Sequence, residues 1–259
     1  MSERCKKKLT MQNKKQRGIL GKSAPSVFLP HYHTMNKSEK RIEKRFVAVE
    51  QSRTFRNIRM AFNLKTKSVL DIGCSYGEFL THFGPESVGV TLAPEEAEYA
   101  RKRGLHIVEG NIEDELVMNT ITKKFDVIFA NNILEHLYSP HAFLIQSKSL
   151  LKKDGQLILG VPCVPKITAI MRLKKFRGSL ASQHINFFTS DTLRLTVERA
   201  GWIVEEVRGF HIRSSFIDHF LNLIYPHFYA ITRPDHNFEY SEKRKRELDG
   251  YKKYRVIYI

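Results

Sequence analysis

Three side chains able to move a proton stand in two short stretches of this chain. Glu135 and His136 belong to Asn131-Asn132-Ile133-Leu134-Glu135-His136-Leu137, and His184 belongs to Gln183-His184-Ile185-Asn186-Phe187-Phe188-Thr189. An imidazole with an ordinary pKa of about 6.5 suits removal of a proton from a phenol, a carboxylic acid or a sugar hydroxyl at neutral pH. His184 is the first choice for that base, or for holding a substrate oxygen; its alternative is to order its own loop through hydrogen bonds. Glu135 and His136 either contact substrate or cap their turn. A third stretch, Ser68–Leu80, is built for binding. An apolar run reaches Asp71, a turn punctuated by Gly73 and Gly77 with Cys74 and Ser75 between them follows, and an apolar helical pattern opens. Strand, tight loop and helix start in that order let backbone approach a ligand closely. The two glycines do not make G-x-G-x-x-G, so a dinucleotide fingerprint is not met.

The elements that must position these residues alternate strand and helix. After Ser68–Ile72, the pattern predicts a strand over Ser87–Thr91 and a helix over Pro94–Arg103 with proline in its first turn. Leu105–Glu109 reads as a third strand, ending in a loop that carries Asn111 and Ile112. Phe125–Ala130 is apolar almost without interruption, as a buried parallel strand should be, and delivers Asn131 at its end. A helix over Pro140–Leu151, a Lys152–Gly155 turn, a strand over Gln156–Val161, a helix over Ser190–Ala200 and a strand over Trp202–Val207 complete the order. The last strand is either Phe228–Arg233, closed by Pro234, or Val256–Ile259. Upstream, one helical pattern runs from an N-cap at Ser38 to about Asn63.

The pattern Asp-x-Gly-x-x-x-Gly at Asp71, Gly73 and Gly77 resembles motif I of the class I S-adenosylmethionine (SAM)-dependent methyltransferases, whose full form has a third glycine where this chain has Ser75. The "FD-x-I" of Phe125–Ile128, the "LEH" of Leu134–His136 and the "H-x-N-F-F-T" of His184–Thr189 are similar to the ubiquinone-biosynthesis O-methyltransferase-like branch, over about residues 64–210. The resemblance implies a three-layer, Rossmann-like α/β fold with a seven-stranded, mostly parallel sheet and one antiparallel strand. It implies SAM as cofactor, held by Asp71, Gly73, Cys74, Ser75, Gly77, Thr91, Leu92, Asn111, Ile112 and Asn131, with no metal required. Where the family ends its second strand in Asp or Glu, to accept from the ribose hydroxyls, this chain has Thr91. Asn111 stands where the family places an acid on the adenine amino group, and its side-chain oxygen can still accept there. The Asn/Asp-Pro-Pro-Tyr of adenine and glutamine amino-methylating enzymes is missing after the fourth strand. Cys163 follows the fifth strand, not the fourth as in cytosine-C5 enzymes, and reads as a small buried residue.

Charge separates the flanks from this core. The chain of 259 residues has a net charge of +16, yet Leu64–Pro162 holds 10 Lys and Arg against 13 Asp and Glu, so every excess positive charge lies outside it. The organisation expected is a basic disordered arm (1–30), a helical lead-in (31–63), the methyltransferase domain (64–234) and a basic tail (235–259). Inside the domain lie a basic substrate-side insertion (163–183) and an apolar helix (210–227). Basic flanks point to an anionic partner. The reading is methyl transfer to a hydroxyl or carboxyl of a small, anionic, glycan- or lipid-like acceptor. The alternatives are an RNA methyltransferase whose flanks bind nucleic acid, a non-catalytic SAM-binding or interaction protein, and an NAD-dependent enzyme. Three scattered cysteines, no apolar leader and no run of roughly 20 apolar residues give a cytoplasmic location without a membrane span, with peripheral membrane contact left open.

Overall fold

The computed structural model describes residues 37–164, 178–212, 214, 216–218 and 226–246. The arm at 1–30, most of the insertion, half of the apolar helix and the end of the tail lie outside the described residues. The sheet has seven strands: β1 (Val69–Ile72), β2 (Val88–Thr91), β3 (Ile107–Glu109), β4 (Phe125–Asn131), β5 (Leu151–Pro162), β6 (Trp202–Arg208) and β7 (His227–Pro234). Their order across the sheet is β3-β2-β1-β4-β5-β7-β6. β7 runs antiparallel to both β5 and β6, and the other pairings are parallel. Of the two candidates for the last strand, the one beginning near Phe228 is therefore in the sheet.

Alternation along the central strands explains the layers. Leu70, Ile72, Ile128, Ala130, Leu157 and Leu159 enter one core, with Phe143, Leu144, Leu193 and Val197 from α5 (Pro140–Ser147) and α6 (Ser190–Arg199). Val69, Val127, Phe129 and Ile158 point to the other face and pack with Phe55 and Ile58 of α2 (Arg53–Ala61). Period-two side chains on strands buried from both sides give two apolar faces, each covered by helices. At the lower end of the sheet, Asp126 Oδ2 accepts from the Ser68 amide at 2.9 Å and hydroxyl at 2.7 Å, and Oδ1 accepts from Lys152 Nζ at 2.9 Å. These bonds hold the Asp126 carboxyl down at about 2 and tie β1, β4 and β5 together.

Three local readings are corrected. The upstream pattern is two helices, α1 (Lys37–Gln51) and α2, because Ser52 is extended and its hydroxyl accepts from the Phe55 amide at 3.2 Å; Ser38 lies inside α1. No α-helix stands between β1 and β2. The apolar pattern there is met by turns and one 3-10 turn, Leu80–His82, which suffices to bury Leu80 and Phe83. The Lys152–Gly155 segment is the beginning of β5; its polar residues reflect exposure at that end of the strand. Two further helices are α3 (Pro94–Lys102) and α4 (Glu115–Thr120). No described helix is long and apolar enough to cross a membrane.

Candidate functional site

The strand order reverses at β1, which has β2 on one side and β4 on the other, and ligands of open α/β sheets bind at the carboxyl ends of such strands. Asp71, Thr91 and Asn131 all sit at or near those ends. Gly73 has φ +76°, and a Cβ there would collide with the side chain of Ile133. Gly77 has φ +88°, so both turn positions demand glycine. Ser75 between them also adopts a left-handed φ of 48°, a cost glycine would avoid.

Asp71 is buried, and its Oδ2 has no hydrogen-bond partner among the described residues. Burial first, and then the nearby Glu78 carboxylate, push its carboxyl well above the usual range. Glu78 is raised mainly by burial and is opposed by Arg45 of α1, which pairs with it. The Arg45 guanidinium also lies 5.2 Å from the centre of the Tyr76 ring, so α1 is fastened onto the glycine turn. An orphaned buried carboxylate beside a tight cradle fits a ligand bearing a cationic amino-acid end, and suits a polyphosphate poorly.

The other expected cofactor residues differ in what they present. The Gly73 and Cys74 amides both donate to the Val90 carbonyl at 2.9 Å. The Cys74 thiol is buried and raised by that burial, so its side chain faces the interior. Leu92 is 70% exposed just past β2, while the Ile112 side chain belongs to the principal core. Asn111 Oδ1 already accepts from the Glu113 amide at 3.0 Å, closing its turn. Asn131 Oδ1 is buried at the tip of β4 without a hydrogen-bond partner among the described residues. Cys163, buried and pushed up to about 12, is the small interior residue expected.

The proton-moving residues are brought together from 49 positions apart. The Ile185 and Asn186 amides donate to the Glu135 carbonyl at 2.9 and 3.0 Å. Asn186 Nδ2 donates to the carbonyls of Leu134 at 3.2 Å and Leu137 at 2.6 Å. This latch places the His136 and His184 rings edge to face, 4.8 Å apart. His136 Nδ1 lies 3.2 Å from the Gln183 carbonyl and His184 Nδ1 lies 3.3 Å from the Ser179 carbonyl. A carbonyl can only accept, so Nδ1 is the donor in each pair, and in a neutral imidazole the lone pair is then on Nε2. The Glu135 carboxylate is buried, both its oxygens lack hydrogen-bond partners among the described residues, and burial pushes it up to about 7. Glu135, His136 and His184 each offer one ligand atom within 4.8 Å of the others. Such a set can pass a proton among its members or hold a divalent cation.

Two residues at this edge escaped the sequence reading. His227 opens β7, whose antiparallel course brings it to the carboxyl ends of β4 and β5, and its Nε2 meets Asn132 Oδ1 at 2.9 Å. Burial, then His211, lower it to about 4. Glu96, in the first turn of α3, accepts from Thr91 Oγ1 at 2.7 Å and from Ser75 Oγ at 2.8 Å. A hydroxyl at a strand end followed five residues later by a carboxylate was the available signal for that contact.

A family profile described as "Methyltransferase domain" matches residues 43–207. Among curated proteins, the chain is 36% identical over 104 residues to the ubiquinone biosynthesis O-methyltransferase of Glaesserella parasuis, covering 36% of this chain and 44% of that protein. It is 24% identical over 161 residues to the mitochondrial ubiquinone biosynthesis O-methyltransferase of Schizosaccharomyces pombe, covering 55% and 57%. The chain thus spans about half the length of these curated relatives. A solved TehB-like SAM-dependent methyltransferase from Corynebacterium glutamicum superposes with a TM-score of 0.51 at 17% identity, over 75% of this chain and 97% of that one. A SAM-dependent methyltransferase from Archaeoglobus fulgidus gives a TM-score of 0.51 at 19% identity, over 74% and 97%. These two similarities concern the fold.

Proposed function

The chain belongs to the methyltransferase domain family, and on that premise we propose that it moves a methyl group from SAM to an oxygen of a small, anionic, glycan- or lipid-like acceptor. The observation that carries the choice of oxygen is the Glu135–His136–His184 cluster, with two imidazoles beside a buried carboxyl. A hydroxyl nucleophile has a proton to lose, and this cluster is equipped to receive it.

SAM supplies a methyl group already activated by its sulfonium, so the chain's residues have mainly to bind, align and exclude water. Asp71 would accept the cationic amino-acid end in the Gly73–Gly77 turn, and the α1 clamp through Arg45 and Glu78 would hold that turn shut. Asn111 and Leu92 would flank the adenine. His184 Nε2, or His136 Nε2 beside it, takes the acceptor's proton as the oxygen becomes nucleophilic. Glu135 stands 3.8 Å from His136 Nε2 and steadies the charge that results. Large exposed apolar side chains, Tyr138, Leu180, Ile185 and Phe187, occupy the two segments that carry the cluster. They favour an acceptor with an apolar portion beside its reacting oxygen.

The test is incubation with methyl-labelled SAM and a cell extract, followed by separation into lipid, RNA, protein and small-molecule fractions. Label in the lipid or small-molecule fraction, lost in His184→Ala, is the expected result. Label in RNA, abolished by RNase, would replace this reading with nucleic-acid methylation, which the basic flanks favour.

A further inference from the structure

Two departures from the family pattern, Ser75 for glycine and Thr91 for an acid, converge on one side chain. The Thr91 hydroxyl donates to Glu96 Oε2 at 2.7 Å and the Ser75 hydroxyl donates to Oε1 at 2.8 Å. We propose that Glu96 is the residue that accepts from the two ribose hydroxyls of the cofactor, with Thr91 and Ser75 as its positioning residues. This inference rests on the methyltransferase reading above and names how this chain meets one part of that cofactor.

The chemistry of the donor set supports it. A carboxylate offers about four lone-pair sites, two on each oxygen. One on each oxygen is occupied by a neutral hydroxyl, which leaves two neighbouring acceptors for a vicinal diol. Nearby cations are committed elsewhere: Arg101 to Glu109, Lys102 to Glu98 and Arg103 to Glu43. Among the described residues, no cation pairs with Glu96. The orphaned Asp71 Oδ2 is a second, independent sign of a ligand here, for Asp71 lies on β1 in register with Gly89 of β2. The left-handed Ser75 also gains a reason. Glycine would relax the backbone at φ 48° but would remove one of the two bonds that orient Glu96.

The experiment is isothermal titration with S-adenosylhomocysteine and with its 2′,3′-dideoxyribose analogue, on the full chain and on Glu96→Ala, Glu96→Gln, Thr91→Asp and the Thr91→Asp/Glu96→Ala double variant. Glu96→Ala should weaken S-adenosylhomocysteine about 10- to 100-fold, the size of one or two charge-assisted hydrogen bonds, and leave the analogue within about twofold. Thr91→Asp alone places a like charge against Glu96 and should weaken binding; in the double variant the acid returns to the strand end and should restore most of the affinity. Ser75→Gly should raise the melting temperature and still weaken S-adenosylhomocysteine. Equal losses on both ligands, or an unchanged affinity in Glu96→Ala, would overturn the proposal while leaving the methyltransferase reading intact. If Glu96→Ala fails to fold, the isosteric Glu96→Gln carries the same comparison of two ligands. Failure of the unaltered chain to bind S-adenosylhomocysteine would overturn both.

Discussion

Asn186 Nδ2 donates to the Leu137 carbonyl at 2.6 Å, joining the segment that carries His184 to the turn that carries Glu135 and His136. The same amide reaches the Leu134 carbonyl at 3.2 Å, so one side chain spans both ends of that turn. His184 owes its place beside His136 to this latch and to the two backbone bonds onto the Glu135 carbonyl.

Asn186→Ala should therefore cost about 1–3 kcal/mol, because two partly buried carbonyls lose their donor. Turnover should fall with it, while affinity for S-adenosylhomocysteine stays near normal, since the cofactor residues lie on other elements. Urea unfolding and titration calorimetry on the same variant check both halves. Unchanged turnover would show that His184 keeps its place without the latch.

Glu135 imposes a pH dependence on stability. Its carboxyl rises from the ordinary 4.5 to about 7 in the folded chain through burial. Between those values the folded chain keeps a proton that the unfolded chain has released, so this group's contribution to stability falls as pH rises through the window. His227, lowered to about 4 by burial, acts with the opposite sign: it contributes rising stability with pH from about 4 to about 6.5. The two windows overlap and offset each other, so the comparison with Glu135→Gln isolates the carboxyl. The stability of Glu135→Gln relative to the unaltered chain should grow by about 2–3 kcal/mol between about pH 5 and about pH 8. A constant difference across that range would contradict the account.

Asp71→Asn should separate stability from binding. Replacing this buried carboxylate, whose Oδ2 has no hydrogen-bond partner among the described residues, by an amide should raise the melting temperature. Affinity for SAM should fall by about 1–3 kcal/mol as its cationic end loses a charge-assisted contact. Calorimetric titration beside a thermal melt reads both. Unchanged affinity would remove Asp71 from the site.

Arg45→Met should loosen the clamp on the glycine turn. Glu78 is buried, with its side chain 4% exposed, and loses its cation, whereas Arg45 is half-exposed and its pairing is screened by solvent. The expected cost is about 1–2 kcal/mol, with faster amide exchange over residues 76–79. Added S-adenosylhomocysteine should slow that exchange again. Exchange equal to that of the unaltered chain would mean that α1 does not hold the turn.

The central strands were legible because β1, β2 and β4 are buried on both faces and read as short apolar runs closed by turn residues. The glycine turn was legible for the same reason that it exists: left-handed backbone at Gly73 and Gly77 demands glycine. What followed was overread as a helix, since Phe79, Leu80 and Phe83 can reach the core from consecutive turns as well as from a helix. The start of β5 was missed because Lys152, Lys153 and Asp154 are exposed there and look like a turn. His227 was invisible for a topological reason: only the antiparallel course of β7 brings its first residue to the ligand-binding edge. Glu96 was hidden by the expectation that the acid would end the strand, when Thr91 hands that place to the helix five residues on.

The account turns on where the methyl donor lies, and a crystal structure of the full chain grown with SAM measures that directly. It predicts the amino-acid end against Asp71 and Gly73, the ribose against Glu96, and the methyl group facing Glu135, His136 and His184. A donor bound elsewhere, or one whose amino-acid end lies away from Asp71 and Gly73, would contradict it.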